Sequence, residues 1–202
     1  MTFNKFTAHP WHGISIHQDS PNAVNAFIEI LPTDVIKYEV DKQSGHLKVD
    51  RPQSFSNICP TLYGFVPQTY CGALVAQFAN VTKGDQDPLD ICVFSERPIT
   101  HSNILMEARP IGGLRLIDKG EADDKILAVL KNDSVYSSWT DIMHIPEPLI
   151  NRLQHYFLTY KNQATGTNQA AVCRIDKIYD AKTAKEVISR SQKDYENLVK
   201  NS

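Results

Sequence analysis

The sequence predicts a mainly β chain with some α, a small β-barrel with one or two helices packed outside it. Three observations carry this. Short apolar runs separated by turn residues recur from Ala26 to Leu130. Apolar residues at helical spacing follow only after them, at 149–160 and 184–198. The 202-residue chain is 42% apolar and 22% charged, which supplies a core and lacks the composition of a disordered chain.

Residues 1–22, rich in Pro, His and Asn, read as an irregular arm. Ala26 to Leu31 and Ile36 to Val40 read as strands. Lys42-Gln43-Ser44-Gly45 reads as a turn, its glycine free to take positive φ. Leu47 to Asp50 continues as a third strand. Residues 66–84 are polar and small and read as a long connection. Leu89 to Phe94, Ile104 to Pro110, Leu114 to Asp118 and Ile126 to Leu130 are further strands. In the first helix Leu149, Ile150, Leu153, Tyr156, Phe157 and Tyr160 share a face, and Pro146 and Pro148 suit its first turn. The second carries Ala184, Val187, Ile188, Ser191, Tyr195 and Leu198, with Asp180 as N-cap. No repeat or linker interrupts the chain, so 1–202 reads as one domain, with the arm 1–22 and a C-terminal extension 163–202.

Several function classes recede. The net charge of −2 does not favour a general nucleic-acid surface. No apolar run approaches the roughly 18 residues of a membrane span. Met1 to Gly13 lack the apolar run of a signal peptide, so the expectation is a cytoplasmic protein without membrane partners. Cys59, Cys71, Cys92 and Cys173 have neither CxxC nor zinc-finger spacing and are expected reduced. His9, His12, His17 and Trp11 lie in the arm and read as irregular surface rather than a transition-metal site.

The chemistry concentrates in Asp85-Gln86-Asp87-Pro88-Leu89-Asp90. Carboxylate oxygens are what hard cations prefer, and Pro88 makes the run a rigid turn rather than a helix. A calcium EF-hand fails in detail, because Leu89 and Asp90 occupy its fifth and glycine positions. Elsewhere acids and bases recur on the strands and at their ends: Glu29, Lys37 and Glu39 lie on strands, Arg51 ends the third, and Asp118, Asp123 and Lys125 bracket a turn between two later ones. Strand by strand these read as solvent faces. Together they suit a polyanion delivered with metal, since acids can hold Mg²⁺ while Lys and Arg hold phosphate oxygens. The residues alone lead to metal-assisted hydrolysis of a phosphoanhydride or phosphoester. The competing reading is a nucleic-acid-binding OB-like module without catalysis. Strands dominated by acids oppose it, because they repel phosphates unless metal is present.

The chain resembles the family I soluble inorganic pyrophosphatases. Asp85-x-Asp87-Pro88-x-Asp90 fits that family's acidic motif. Around it, in order, stand Phe27-Ile28-Glu29-Ile30, Ile36-Lys37-Tyr38-Glu39, Lys48-Val49-Asp50-Arg51 and Pro60-x-x-Tyr63-Gly64. Arg109-Pro110-Ile111-Gly112, Asp118-x-x-x-x-Asp123-x-Lys125 and His155-Tyr156-Phe157-x-x-Tyr160-Lys161 complete the match over about residues 25–162. The resemblance implies a five-stranded OB-like barrel and Mg²⁺-dependent hydrolysis of pyrophosphate to two orthophosphates. It implies Asp85, Asp90, Asp118 and Asp123 as metal ligands, Asp87 as general base, and Glu29 and Glu39 in the outer metal shell. It implies Lys37, Arg51, Tyr63, Lys125, Tyr160 and Lys161 as phosphate contacts. It also implies a homo-hexamer, with His155 at a subunit contact. The chain departs from the pattern at Cys59, where a tyrosine is often found, and at Lys119, where an acid is frequent. It departs again in the long 66–84 segment and after residue 162.

Overall fold

From the N-terminus the elements are β1 (Val24–Ile30), β2 (Ile36–Val40), β3 (Leu47–Pro52), β4 (Leu62–Phe65), α1 (Ala73–Phe78), β5 (Lys83–Gly84) and β6 (Asp90–Phe94). Then come β7 (Ile104–Asp118), β8 (Glu121–Leu130), α2 (Glu147–Thr159), β9 (Cys173–Asp180) and α3 (Ala181–Lys200). The computed structural model describes residues 7–161 and 173–200. Positions 1–6 of the predicted arm, and 163–172 and 201–202 of the predicted extension, lie outside the described residues.

Five strands close into a ring. β1 pairs with β4, β4 with β6, β6 with β8, β8 with β7, and β7 returns to β1. Only the β6–β8 pairing in this ring is parallel. This is the predicted barrel with helices outside. β5 and β9 extend the sheet from β8 and β7, and β2 with β3 forms a separate hairpin.

The structure corrects several element boundaries. Ile104 to Pro110 and Leu114 to Asp118 are one 15-residue strand, β7. Its register shifts between Pro110 and Gly112, so the proline without an amide hydrogen sits at a bulge and does not end the strand. β8 begins at Glu121 rather than Ile126, because its charged first half still pairs with β7. The 66–84 connection contains α1 and β5, and β4 and β9 were not expected as strands.

Among the described residues three apolar clusters hold the fold. The first joins side chains from all five ring strands to Ala184, Val187 and Ile188 of α3. The second packs Ile150, Leu153, Tyr156 and Phe157 of α2 on Cys92, Leu114, Leu116 and Leu127. The third unites Trp11, Phe27, Val40, Phe65 and Tyr195. Trp11 is therefore core and not surface. It is 6% exposed, and its indole donates to the Thr69 carbonyl at 2.8 Å. Residues 7–22 carry no helix or strand and are docked on the fold.

Helix α3 serves as a clamp. Asp180 accepts the Thr183 amide at 2.8 Å, as an N-cap should. Asp194, buried on α3, accepts the amides of Gly72, Leu74 and Val75 at 3.0–3.1 Å and so caps α1 from another element. No helix among the described residues is long and apolar enough to cross a membrane.

Candidate active site

Strand alternation decides which charges meet. On β8, Asp123 and Lys125 share a face with Leu127, while Asp124 points the other way toward Arg115. On β2, Lys37 and Glu39 share a face, and Arg51 lies opposite Lys37 across the hairpin. Asp118 ends β7, just before a two-residue turn in which Lys119 (φ 51°) and Gly120 (φ 86°) are both left-handed. That turn suits a tight hairpin and brings Asp118 and Asp123 together across it.

The acidic turn is held from both sides. Asp85 donates its amide to the Ala122 carbonyl at 3.1 Å, and Cys71 donates to the Asp87 carbonyl at 2.8 Å. The Asp87 amide donates back to Asp85 Oδ1 at 3.0 Å, across Gln86 at φ 65°. Leu89 donates to Thr69 Oγ1 at 2.9 Å. Gly84 lets β5 approach the loop before α1, since a Cβ there would stand 2.1 Å from the Cys71 carbonyl oxygen.

These elements enclose one cleft of about 310 Å³. Glu29, Lys37, Glu39, Arg51, Tyr63, Asp85, Asp87, Asp90, Asp118, Asp123, Lys125, Tyr160 and Lys161 all line it. The sequence reading missed other walls of the same cleft, among them Trp11, Lys42, Phe65 and Glu121. Asp50 was also missed. It holds Lys37 at 2.6 Å and Arg51 at 2.6 Å from outside the lining. Lys119 does not line the cleft, and the carboxylate near that turn comes instead from Glu121, paired with Lys83 at 2.6 Å. Cys59 does not line it either. Cys59 is fully buried in the cluster beneath α2, and burial pushes its thiol up to about 12.

Ammonium groups thread through the acids. Lys125, 1% exposed, pairs with both Asp90 and Asp123. Lys161 reaches Asp118 at 2.5 Å and Asp123 at 3.6 Å, and Lys42 pairs with Asp87. Burial raises the Asp123 carboxyl, but Lys125 and Lys161 outweigh it and hold the group below the usual carboxylate range. Asp90 is raised by burial despite Lys125. Burial, with Asp123 nearby, raises Asp85 to about 9. Burial raises Glu29 to about 8, although its Oε1 accepts the Val40 amide at 2.6 Å.

The cleft thus holds more carboxylates than its lysines neutralise, and burial disfavours the charged form of Glu29, Asp85 and Asp90. That surplus, made only of oxygen donors, fits a hard cation such as Mg²⁺. Among the described residues no three His, Cys, Asp or Glu groups already form a metal cage. The ammonium groups of Lys42, Lys125 and Lys161 take the carboxylate oxygens instead.

A closed barrel whose cleft crowds carboxylates and lysines together fits an enzyme site that handles charged groups. Comparison with known proteins narrows the class. The family model described as inorganic pyrophosphatase matches residues 26–196. Inorganic pyrophosphatase of Chlamydia muridarum is 50% identical over 198 residues, covering 94% of this chain and 95% of that one. That of Chlamydia caviae is 50% identical over 197 residues, covering 94% and 91%. The crystal structure of inorganic pyrophosphatase from Thermus thermophilus superposes with a TM-score of 0.78 at 27% identity, covering 94% of this chain and 99% of that one. The chain belongs to the inorganic pyrophosphatase family and is a hydrolase of pyrophosphate.

Proposed function

We propose that this chain hydrolyses pyrophosphate to two orthophosphates in a Mg²⁺-dependent reaction, with water as nucleophile and Asp87 as proton acceptor. The observation that carries the reading is the meeting of two acidic elements on one buried ammonium: Lys125 pairs with Asp90 of β6 and Asp123 of β8. Acids and cations at this density suit a substrate that is itself a polyanion.

Asp85, Asp90, Asp118 and Asp123 would hold the metal, with Glu29 and Glu39 in its outer shell. When bound, Mg²⁺ supplies positive charge to the phosphate oxygens and makes water easier to deprotonate. Asp87 is suited to the proton because its side chain is 49% exposed and so within reach of water. As the water oxygen bonds to one phosphorus, the bridging P–O bond breaks and the second phosphate leaves with its electrons. Lys37, Arg51, Lys125 and Lys161 would offset charge on both phosphates, while Tyr63 and Tyr160 donate hydrogen bonds. Competing nucleic-acid binding is opposed by the same carboxylates.

The reading includes a cytoplasmic location and a homo-hexamer, with exposed His155 of α2 at a subunit contact. Light scattering that shows a monomer at micromolar concentration would contradict the hexamer. Calorimetric Mg²⁺ titration beside steady-state kinetics tests the assignments. Asp90→Asn should lose metal affinity and turnover together. Asp87→Asn should lose turnover with metal binding largely kept, and equal loss of affinity in both would contradict the division of roles.

A further inference from the structure

The arm is tied to the site by a chain of contacts. His9 lies under the β2–β3 turn, its Nε2 3.2 Å from the Lys42 carbonyl. Its Nδ1 accepts the Trp11 amide at 3.1 Å, which leaves Nε2–H as the donor to Lys42. Its ring also packs beneath Gly45, where a Cβ would stand 2.9 Å from it, and Gly45 holds φ 74°. Trp11 follows, lining the cleft. Its carbonyl accepts the Gln68 amide at 2.9 Å and its indole donates to Thr69, whose hydroxyl accepts the Leu89 amide inside the acidic turn. His12 closes the far side, with Nδ1 2.9 Å from the Tyr195 hydroxyl of α3. The arm thus grips the turn that carries Lys42 and the loop that carries Asp87. Between those two segments Lys42 spans to the Asp87 carboxylate.

We propose that Lys42 is a positioning residue for Asp87, and that residues 9–12 of the arm hold Lys42 in place. The proposal rests on the reading of Asp87 as proton acceptor. A carboxylate that is half exposed and on a loop has several rotamers, and only one aims at the attacking water. An ammonium that reaches across from a turn whose backbone the arm holds selects that rotamer. The pair does not need to stabilise the fold, since half-exposed ion pairs contribute little. Its effect falls on geometry at the reacting centre, where small displacements are costly.

The test compares Lys42→Met, Lys42→Arg, His9→Ala, Asp87→Asn and the Lys42→Met/Asp87→Asn double variant in the full chain. Lys42→Met should lower kcat about 10-fold with KM changed less than about 2-fold, and Lys42→Arg should recover most of it. The double variant should be no slower than Asp87→Asn alone, because Lys42 acts through that carboxylate. His9→Ala should reproduce a weaker form of the Lys42→Met loss. A second readout needs neither metal nor substrate. In a Trp139→Phe background Trp11 is the only indole, and His9→Ala should shift its emission to the red as the arm loosens. Additive losses in the double variant, or wild-type kcat in Lys42→Met, would overturn the proposal while leaving Asp87 as base. Wild-type turnover in Asp87→Asn would overturn both. Unchanged emission with unchanged kcat in His9→Ala would remove the arm from the account.

Discussion

The ammonium of Lys125 pairs with the carboxylate of Asp123, two positions earlier on β8, and the two residues are 1% and 4% exposed. Asp124 between them faces the opposite side, opposite Arg115. A buried ion pair of this kind seldom adds net stability, and its removal from one side leaves a charge in low dielectric. Here Lys125, with Lys161, holds the Asp123 carboxyl below the usual carboxylate range although burial opposes it.

Lys125→Met should therefore destabilise the metal-free protein by about 3–5 kcal/mol, because Asp90 and Asp123 lose their shared cation. Urea unfolding in EDTA measures this. Added Mg²⁺ should restore stability to the variant more than to the wild type, and an unchanged midpoint in EDTA would contradict the pairing.

Glu29 gives a pH signature. Burial raises its pKa from 4.5 to about 8 in the folded chain. Below 4.5 both folded and unfolded states hold the proton, and Glu29 contributes no difference. As pH rises toward 8 the unfolded chain ionises first, so folding loses stability across that window and levels off above it. Glu29→Gln keeps an oxygen for the Val40 amide and removes the titration. Metal-free Glu29→Gln should match the wild type near pH 4 and exceed its stability at pH 9. Parallel unfolding curves for the two proteins from pH 4 to 9 would contradict the raised pKa.

Asp194→Ala tests the clamp between α3 and α1. It removes the acceptor for the Gly72, Leu74 and Val75 amides. The expected cost in chemical denaturation is about 1–2 kcal/mol, the range of a lost N-cap. Asp194→Asn should recover part of it. A wild-type midpoint for Asp194→Ala would show that water replaces the carboxylate.

Cys59 gives a chemical test of burial. The thiol is 0% exposed and pushed up to about 12. Iodoacetamide at neutral pH should leave it unlabelled in the folded protein, with and without Mg²⁺-pyrophosphate, and label it after denaturation. Substrate-dependent labelling in peptide maps would place the thiol at the cleft after all.

The strands that alternate and the acidic turn were legible because their signals are local: period-two patterning, a proline, adjacent carboxylates. Lys37 and Glu39 reveal their shared face by spacing alone, whereas Asp123 and Lys125 read as part of a turn, and Tyr63, Tyr160 and Lys161 reached the site only through the family resemblance. What was missed depends on distant partners. β4 is four residues long and contains Gly64, and β9 carries Arg174, Asp176 and Lys177 at a sheet edge, so neither has a strong apolar signature. Pro110 reads as a strand end, but β7 continues through it with a bulge at Ile111 opposite β8. The burial of Trp11, the reach of Lys42 to Asp87 and the capping of α1 by Asp194 all join segments far apart in sequence. No window of residues contains them.

The central claim is that this cleft hydrolyses pyrophosphate only when its carboxylates hold a divalent cation. The direct measurement is orthophosphate release from pyrophosphate by purified protein, in Mg²⁺ and after rigorous metal removal with EDTA. The account predicts release with Mg²⁺, loss of that release in EDTA, and recovery when Mg²⁺ is restored in excess. Undiminished hydrolysis by the metal-free protein would contradict it.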